Sequence, residues 1–393
     1  MILSDTQKTE KLLTSGLTLL LAIAGGISVA NIYYHQPLLN EIAVTFQTTS
    51  SSVGLISTFT QLGYALGIFL FVPLGDIKDK KKLILILAIL VTISLLGVAS
   101  AQNLIWIYIA SFAVGITSVI PQIITPLAAQ LAAAEERGKA LGTVVSGLLL
   151  GILLARTVAG YIGYIAGWRF MFVFAAFIML GLASILYFKL PSTEVTENLT
   201  YKELLKSVST IVRKYPMLRK VSVTGGLLFG AFSVFWTTMV FLLESSPYHF
   251  ESYQIGLFGL LGVSGALGAS LIGRLTDKKN PKTVVTGCTG IAIVAYLILS
   301  LFGMQIWGII IGVILLDLGI QGAQISNSSI IYSINNDERS RLNCVFVVSN
   351  FIGAAVGSCL GALAWNLYHW EGVCTVGLAM LVIAFGISMK KMS

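Results

Sequence analysis

The sequence predicts an all-α protein that crosses a membrane twelve times, in two six-helix halves related by an internal repeat. Hydrophobic residues make up 56% of the 393 residues and charged residues only 11%, whereas soluble domains carry roughly 25% charge. So little charge cannot cover a water-facing surface of this size. An ordinary soluble enzyme, a disordered protein and a nucleic-acid-binding protein are therefore excluded. The long apolar runs instead suit membrane-spanning helices, which need about 20 residues each.

Each long apolar run is interpreted as one span. The runs are rich in Leu, Ile and Gly and do not alternate with polar residues, unlike the strands of a membrane barrel. The predicted spans, numbered in chain order, are 15–37, 52–73, 83–101, 104–127, 140–163, 169–190, 221–243, 254–273, 283–302, 306–332, 341–363 and 372–389. The first fourteen residues are polar and show no pattern of a cleaved signal peptide, so span 1 is expected to be retained.

The basic residues predict the orientation of the chain. Of the 25 Lys and Arg residues, 23 fall in termini and loops that a twelve-span chain places on one side, and Arg156 and Arg169 are the exceptions. Because basic loops stay on the cytoplasmic side, both termini are expected to be cytoplasmic. The net charge of +8 then reflects loops that face anionic lipid rather than a nucleic-acid partner.

A polar stretch between Pro191 and Pro216 separates six spans from six. Thr200 and Glu203 have the spacing of a helix-capping box. Apolar residues then recur every three or four positions among basic ones, which indicates an amphipathic helix at the membrane surface. The expected divisions are a first half at 1–190, a cytoplasmic linker at 191–220 and a second half at 221–393.

The two halves repeat each other at an offset of 201 or 202 residues. Glu136-Arg137, for example, corresponds to Glu338-Arg339. Small residues recur at every fourth position of spans 5 and 11. The equivalent positions are Gly151, Ala155 and Ala159 in span 5 and Gly353, Gly357 and Gly361 in span 11. Because small residues let helices pack closely in lipid, these two spans are predicted to be equivalent, tightly packed helices.

An acidic residue followed by a basic run occurs once in each half. Asp277 lies in the segment GRLTDKKNPK, and Asp76 lies 201 residues earlier. This segment resembles the major facilitator superfamily signature, Gly-x-Leu-Ala-Asp-Arg-x-Gly-Arg-Arg. The stretches NIYYHQPLL and GLLLGILLARTVAG resemble a bacterial branch of drug and metabolite exporters within that superfamily. The resemblance covers the whole chain and implies the major facilitator fold, a transporter and a place in the bacterial inner membrane.

The resemblance also implies gating residues. In this superfamily the signature helps to hold the cytoplasmic side closed. Asp76 and Asp277, together with Arg137 and Arg339 at the starts of spans 5 and 11, are the candidates. The alternative is that these charges only orient the chain in the membrane.

Two charged residues lie well inside predicted spans, Arg156 in span 5 and Asp317 in span 10. An ionisable group in hydrocarbon is costly and is therefore a functional candidate. Helix geometry places both in the outer half of a core of roughly 30 Å, about 10 Å apart in depth. Asp317 is the candidate proton carrier, because burial disfavours its charge and a nearby Arg156 favours it. A static charge pair that fastens the halves is the alternative.

Polar residues share one face of span 10 and one face of span 4. Asp317, Gln321 and Gln324 recur at helical spacing, and Gln122 in span 4 lies 202 residues before Gln324. Repeat-related polar faces predict a common aqueous cavity near the midplane, and helix–helix hydrogen bonding without a ligand is the alternative. The other candidates for substrate binding are Asn31, Tyr34 and Gln36 of span 1 and Trp236 of span 7. Aromatic walls with a few amides suit an amphiphilic or uncharged ligand.

The sequence therefore predicts a secondary transporter that exports a small organic compound in exchange for protons by alternating access. Uptake by proton symport or facilitated diffusion is the second interpretation, and a membrane sensor that transports nothing is the third. The chain has neither a His-Glu-x-x-His motif nor a phosphate-binding loop, so we expect no enzyme activity, metal or cofactor. We expect a monomer whose partners are the substrate, protons and the lipid bilayer.

Overall fold

Helix is the regular secondary structure of the described part of the chain, and no strand occurs there. The structure, a computed structural model, describes residues 13–133, 135–192, 200–265, 268, 272–273, 276, 279–335 and 338–389. The predicted all-α class is confirmed.

The first half contains eight α-helices, because span 4 is divided in two and a short helix, α2, follows span 1. These helices are α1 (Ser15–Ala30), α2 (Leu39–Phe46), α3 (Ser50–Ile77), α4 (Lys80–Ala99), α5 (Leu104–Thr117), α6 (Ile120–Leu131), α7 (Arg137–Ala166) and α8 (Trp168–Lys189). A short 3-10 helix at Gln36–Leu38 joins the turn after α1 to α2.

The linker and the second half supply six further α-helices in the described residues. They are α9 (Tyr201–Lys214), α10 (Pro216–Glu244), α11 (Ser252–Leu257), α12 (Pro281–Phe302), α13 (Ile306–Tyr332) and α14 (Arg339–Met389). A 3-10 helix at Phe258–Gly262 continues directly from α11.

These helices account for the twelve predicted spans. Nine segments of the described chain are long and apolar enough to cross a membrane, with α5 and α6 counted together. The 51 residues of α14 would reach about 77 Å, more than twice a hydrocarbon core of roughly 30 Å. Its backbone leaves the helical conformation at Tyr368 and His369, so α14 supplies spans 11 and 12. The shorter apolar α1 supplies the start of span 1, and α11 with the 3-10 helix after it forms the start of span 8.

Two spans predicted to be continuous are interrupted, and the prediction was wrong at both places. Span 4 is broken at Ser118 and Val119, where α5 ends and α6 begins. Pro121 lies in the first turn of α6 and has no amide hydrogen to continue a helix from before the break. Span 1 ends as an α-helix at Ala30, and Pro37 lies in the following 3-10 helix.

Glycines at equivalent positions of the two halves let pairs of helices touch backbone to backbone. A Cβ atom at Gly151 of α7 would collide with the carbonyl of Gly26 in α1. One at Gly353 of α14 would collide with the carbonyl of Gly226 in α10. Spans 5 and 11 are thus the equivalent, closely packed helices that the repeat predicts, since small residues allow such approach.

The two halves meet along α3 and α14 and along α7 and α11. A Cβ atom at Gly54 of α3 would collide with Ala362 of α14, and one at Gly160 of α7 would collide with the carbonyl of Ser252. The second contact brings the residues of α7 that precede Gly160 against the opposite half.

The linker helix α9 forms as its sequence predicts. Thr200 and Glu203 make both hydrogen bonds of the capping box, and the apolar face of the helix is buried. The hydroxyl of Tyr201 donates to the carbonyl of Leu70 at 2.9 Å, so α9 is attached to the end of α3. We call this side of the bundle, where α3 ends and α7 and α14 begin, the basic end.

Candidate functional site

Arg156 lies in α7 where the two halves meet, and only 3% of it is exposed. Its Nε donates a 2.6 Å hydrogen bond to Oε1 of Gln36. Its guanidinium carbon lies 3.9 Å from the ring centre of Trp236 and 4.9 Å from that of Tyr33. Such ring faces stabilise a cation. Because Trp236 belongs to α10, this stacking contact joins the first half to the second.

Asp317 lies at the N–H edge of the same indole. The Nε1 of Trp236 donates to Oδ1 of Asp317 at 3.3 Å, and the carboxylate is 4% exposed. Arg156 and Asp317 are both described, and no direct ion pair joins them. The direct pairing that the sequence left open is therefore not made, and Trp236 connects the two charges instead. We call Arg156, Trp236 and Asp317 the charge bridge.

Glycines of span 8 pack closely against Arg156 and Asp317. A Cβ atom at Gly259 would lie 2.9 Å from Cβ of Arg156, and one at Gly262 would lie 2.8 Å from Oδ2 of Asp317. One at Gly265 would lie 2.9 Å from Cβ of Asp317. A 3-10 helix has three residues per turn. The 3-10 helix at Phe258–Gly262 therefore places Gly259 and Gly262 on one face. The spacing is visible in the sequence, but the 3-10 conformation that gives it meaning is not.

Several polar atoms near this level of the bundle are buried without a partner. The Nη2 of Arg156 and both amide atoms of Asn31 have no hydrogen-bond partner among the described residues. Buried polar groups are usually hydrogen-bonded, so each exception needs an explanation. A ligand or water that binds there in another state of the protein would supply the missing bonds.

The space beside Arg156 is small in this structure. A cavity of about 10 Å³ lies next to its guanidinium and is lined by Gln36, Pro37, Arg156, Trp236, Met239, Val240 and Ile255. Sites for drug-sized ligands usually measure about 300–1,000 Å³. The halves must therefore separate at the charge bridge before a ligand of that size can reach it.

The two repeat-related glutamines occupy a second polar layer. The Nε2 of Gln122 donates to the hydroxyl of Tyr64 at 3.4 Å, and Tyr64 packs on Phe351 of α14 with 4.3 Å between ring centres. Gln324 accepts a 3.1 Å hydrogen bond from Nδ2 of Asn350. Each glutamine thus makes a hydrogen bond within its own half. Both side chains remain half-buried.

Two further candidates stay outside the charge bridge. Tyr34 is buried and Gln321 is half-buried, but the described contacts do not bring either side chain to Arg156 or Asp317. Gln321 follows Asp317 by one helical turn, so it lies nearer the basic end of α13.

A buried hydrogen-bonded network at the seam was missed by the sequence analysis. Gln61 of α3 donates to Ser233 of α10 at 3.3 Å and accepts from Ser358 of α14 at 2.9 Å. Ser358 in turn lies 2.8 Å from the hydroxyl of Thr237. Each helix contributes one or two polar residues, so no single span shows a polar stripe. The available signal was Gln61 itself, a lone amide inside an apolar span.

The candidate gating residues lie at the basic end. Asp76 is the last acid of α3 and lies within electrostatic range of Cys344 at the start of α14. Arg137 begins α7 and is exposed, whereas Arg339 donates through Nε to the carbonyl of Tyr332 at 3.2 Å. Asp277 lies outside the described residues. Asp76 of the first half and Cys344 of the second are thus near enough to interact electrostatically.

An ion pair links the linker to the same end. Nζ of Lys214 lies 3.0 Å from Oε1 of Glu338, and the hydroxyl of Tyr215 donates to Oε2 at 2.6 Å. These two hydrogen bonds, first that of Tyr215 and then that of Lys214, hold the pKa of Glu338 below its usual range. The contact ties α9 to the start of α14.

Comparisons with known proteins agree with this architecture. The family model of the Major Facilitator Superfamily matches residues 21–358. The chain belongs to the Major Facilitator Superfamily. It is 41% identical to the transporter YgaY of Escherichia coli O157:H7 over 94% of both chains. It is 25% identical to a protein named as a sugar efflux transporter in Helicobacter acinonychis, over 86% of this chain and 85% of the relative.

A solved structure shows the same fold. The nucleoside transporter NupG superposes with a TM-score of 0.79 over 95% of this chain and all of that one, at 15% sequence identity. This likeness concerns the fold alone. The protein is thus a multi-pass membrane transporter of the Major Facilitator Superfamily, as its sequence predicts.

Proposed function

We propose that this transporter moves a small organic compound by alternating access and couples the movement to protons at Asp317. The charge bridge is the observation that supports the proposal most directly. Arg156 belongs to the first half, whereas Trp236 and Asp317 belong to the second, so the halves cannot separate at this level without breaking the stack of Arg156 on Trp236. Protonation of Asp317 removes its charge and changes the free energy of that step.

The substrate in this proposal binds between the halves once they have separated. Asn31, Gln36 and the charge bridge supply polar groups at the level of Arg156, and Gln122, Gln321 and Gln324 supply amides nearer the basic end. Tyr34 is included as a wall of the same site. Asp76, Asp277, Arg137 and Arg339 then act at the basic end, which is cytoplasmic in this proposal, to stabilise closure there.

Export in exchange for protons is the first form of the proposal. It is supported by the naming of the Helicobacter relative as a sugar efflux transporter. In this form a neutral substrate donates hydroxyl groups to the Asp317 carboxylate and so competes with the proton for the same oxygen atoms. A monomer in the bacterial inner membrane, with both termini in the cytoplasm, is sufficient for this cycle.

Movement of proton and substrate in the same direction is the second form. One observation favours it, namely the buried Nη2 of Arg156 that has no partner. A cation with an unused donor suits an anionic substrate, and an anion favours protonation of a neighbouring carboxylate rather than competing with it.

Proteoliposomes that contain the purified protein test the proposal. Substrate counterflow measures transport itself, and an imposed pH gradient then shows whether protons drive it. Accumulation against the proton movement supports exchange, and accumulation with it supports the second form. Counterflow that ignores every imposed pH gradient would overturn proton coupling.

A further inference from the structure

The guanidinium of Arg156 has hydrogen-bonding capacity that the protein does not use. Nε donates to Gln36, but Nη2 is buried and has no hydrogen-bond partner in the part of the chain that the structure describes. A buried cation is expensive unless it is paired and its N–H groups are satisfied. The ring faces of Trp236 and Tyr33 both stabilise the positive charge of the guanidinium. A ring face does not accept the hydrogen bonds of the in-plane Nη2 hydrogens, so these remain unbonded.

The nearest acid does not fill this position. Asp317 is held by the indole N–H of Trp236, at the edge of the ring whose face lies against the guanidinium. The geometry therefore separates the two opposite charges and leaves the edge of Arg156 open to a third group.

The residues around that edge of the guanidinium indicate which chemical group would bind there. Apart from Arg156 and the amide of Gln36, the neighbouring cavity is lined by Pro37, Met239, Val240, Ile255 and the indole of Trp236. One cationic fork with an otherwise apolar wall fits a planar carboxylate on a small apolar body. A phosphate or sulfate would need more donors than this edge presents.

We propose that the substrate of this transporter is a small organic monocarboxylate. Its carboxylate binds to Arg156, and one proton binds to Asp317 at the same time. This inference rests on the second form of the proposed function, because it takes the charge bridge to line the substrate site.

Charge balance links the proton to the anion. With Asp317 ionised, the empty site holds one positive and one negative charge, and a bound carboxylate would add a second negative charge in a medium of low dielectric. Protonation of Asp317 restores neutrality, so carboxylate and proton bind cooperatively. The charged and titratable groups that face the site are Arg156 on α7, Asp317 on α13, and Tyr33 and His35 on the turn after α1. Nε2 of His35 is already hydrogen-bonded to Ser57 at 2.8 Å.

Equilibrium binding to the purified full chain in lipid nanodiscs tests the inference. The probes are benzoate and benzamide, which share a shape but differ in charge. Wild-type protein is expected to bind benzoate and to bind benzamide at least about tenfold more weakly. Benzoate affinity is expected to fall by about tenfold per pH unit above the range in which Asp317 takes up its proton, since one proton binds with each anion.

Two variants and a matched control complete the design. Arg156→Gln is expected to lose benzoate binding at every pH. Arg169→Gln is the control, because Arg169 also stacks on an indole, that of Trp168 at 4.2 Å, but lies outside the site. Asp317→Asn is expected to retain benzoate binding with an affinity that no longer depends on pH, since an amide does not ionise. This variant keeps the test informative if Arg156→Gln fails to fold.

Three results of the binding experiment would overturn the inference. They are equal affinity for benzoate and benzamide, undiminished benzoate binding by folded Arg156→Gln, and an unchanged pH dependence in Asp317→Asn. Proton-coupled transport of a neutral compound by a protein that does not bind benzoate would overturn the inference and leave the first form of the proposed function standing. Benzoate binding without proton movement in liposomes would overturn the proposed coupling alone.

Discussion

The guanidinium carbon of Arg156 lies 3.9 Å from the ring centre of Trp236, and this contact crosses the seam between the two halves of the transporter. The same indole donates to Asp317, so one aromatic side chain contacts both buried charges. Alternating access requires the seam to open and close, and the charge bridge is placed where that motion must break contacts. The predictions below separate its coupling role from its structural role.

Asp317→Asn is expected to abolish accumulation driven by a pH gradient while substrate counterflow continues. The amide keeps the size of the carboxyl group and can still accept the indole hydrogen bond, but it cannot carry a proton. Proton flux and counterflow in proteoliposomes measure the two properties separately. Glu371→Gln, at an exposed acid, is the control and should change neither. Full proton coupling in Asp317→Asn would leave Asp317 as a structural partner.

Trp236→Phe is expected to slow transport, because it keeps a ring beside Arg156 but removes the hydrogen bond to Asp317. Loss of a hydrogen bond to a charged group costs about 1.5–3 kcal/mol. Trp370→Phe is the matched control, because Trp370 is also buried and donates instead to the carbonyl of Leu299 at 2.8 Å. Thermal unfolding and counterflow are measured on both variants. If equal losses of stability slow transport equally, the effect of Trp236 is structural only.

Gly262→Ala is expected to impair both stability and transport. The added Cβ would lie 2.7 Å from Leu153 and 2.8 Å from Oδ2 of Asp317, and overpacking of this kind costs about 1–3 kcal/mol. Gly181→Ala serves as the control, since a Cβ there meets nothing within 4 Å and alanine favours a helix by up to about 1 kcal/mol. A Gly262→Ala protein that transports at the wild-type rate would show that span 8 has room to move away from Asp317.

Asp76→Asn is expected to increase the reaction of Cys344 with a membrane-impermeant thiol reagent and to slow transport. Asp76 lies near Cys344 between the halves, and loss of its charge should weaken closure at the basic end. The measurement uses a protein in which the other three free cysteines are replaced by alanine. Glu136→Gln, at an exposed acid, is the control. Unchanged labelling and transport would leave Asp76 with a role in orientation only.

Glu338→Gln is expected to weaken the attachment of α9 to α14 at neutral pH and to have no effect in strong acid. The pKa of Glu338 is lowered by its hydrogen bonds from Tyr215 and Lys214. Its ionised form therefore stabilises the fold above the ordinary carboxyl value of about 4.3, and this stabilisation is lost as pH falls through the lower folded value. Thermal unfolding across a pH series compares wild type with the variant. A difference that persists at the lowest pH would contradict the assignment.

The sequence was sufficient for the class of fold and for the residues that carry buried charge. Apolar runs of span length leave no alternative to membrane insertion, because backbone polar groups in hydrocarbon must be satisfied within helices. Arg156 and Asp317 were identified because charge inside such a run is rare and costly. The repeat of Gly151 at Gly353 predicted that α7 and the first part of α14 are equivalent, closely packed helices, since small residues permit close approach, but the partners α1 and α10 came from the structure.

What the sequence left open is the arrangement of side chains between helices. Helical spacing shows which residues share a face, but it does not give the rotation and depth of one helix against another. The position of Trp236 between Arg156 and Asp317 depends on three helices from two halves, so a direct ion pair and an indole bridge were indistinguishable beforehand. The network around Gln61 was missed for the same reason, because its members come singly from different helices.

The sequence by itself thus determined that this chain is a two-fold-repeated membrane protein, because composition, apolar run length and repeat spacing are properties of the chain alone, and the segment around Asp277 added the resemblance to a transporter family. Only the tertiary structure decided that one indole contacts both buried charges, Arg156 on its face and Asp317 at its N–H, and that Nη2 of Arg156 has no hydrogen-bond partner among the described residues. Those facts follow from how three helices and a 3-10 turn pack at one level of the bundle, and packing is fixed by all of the contacting side chains together.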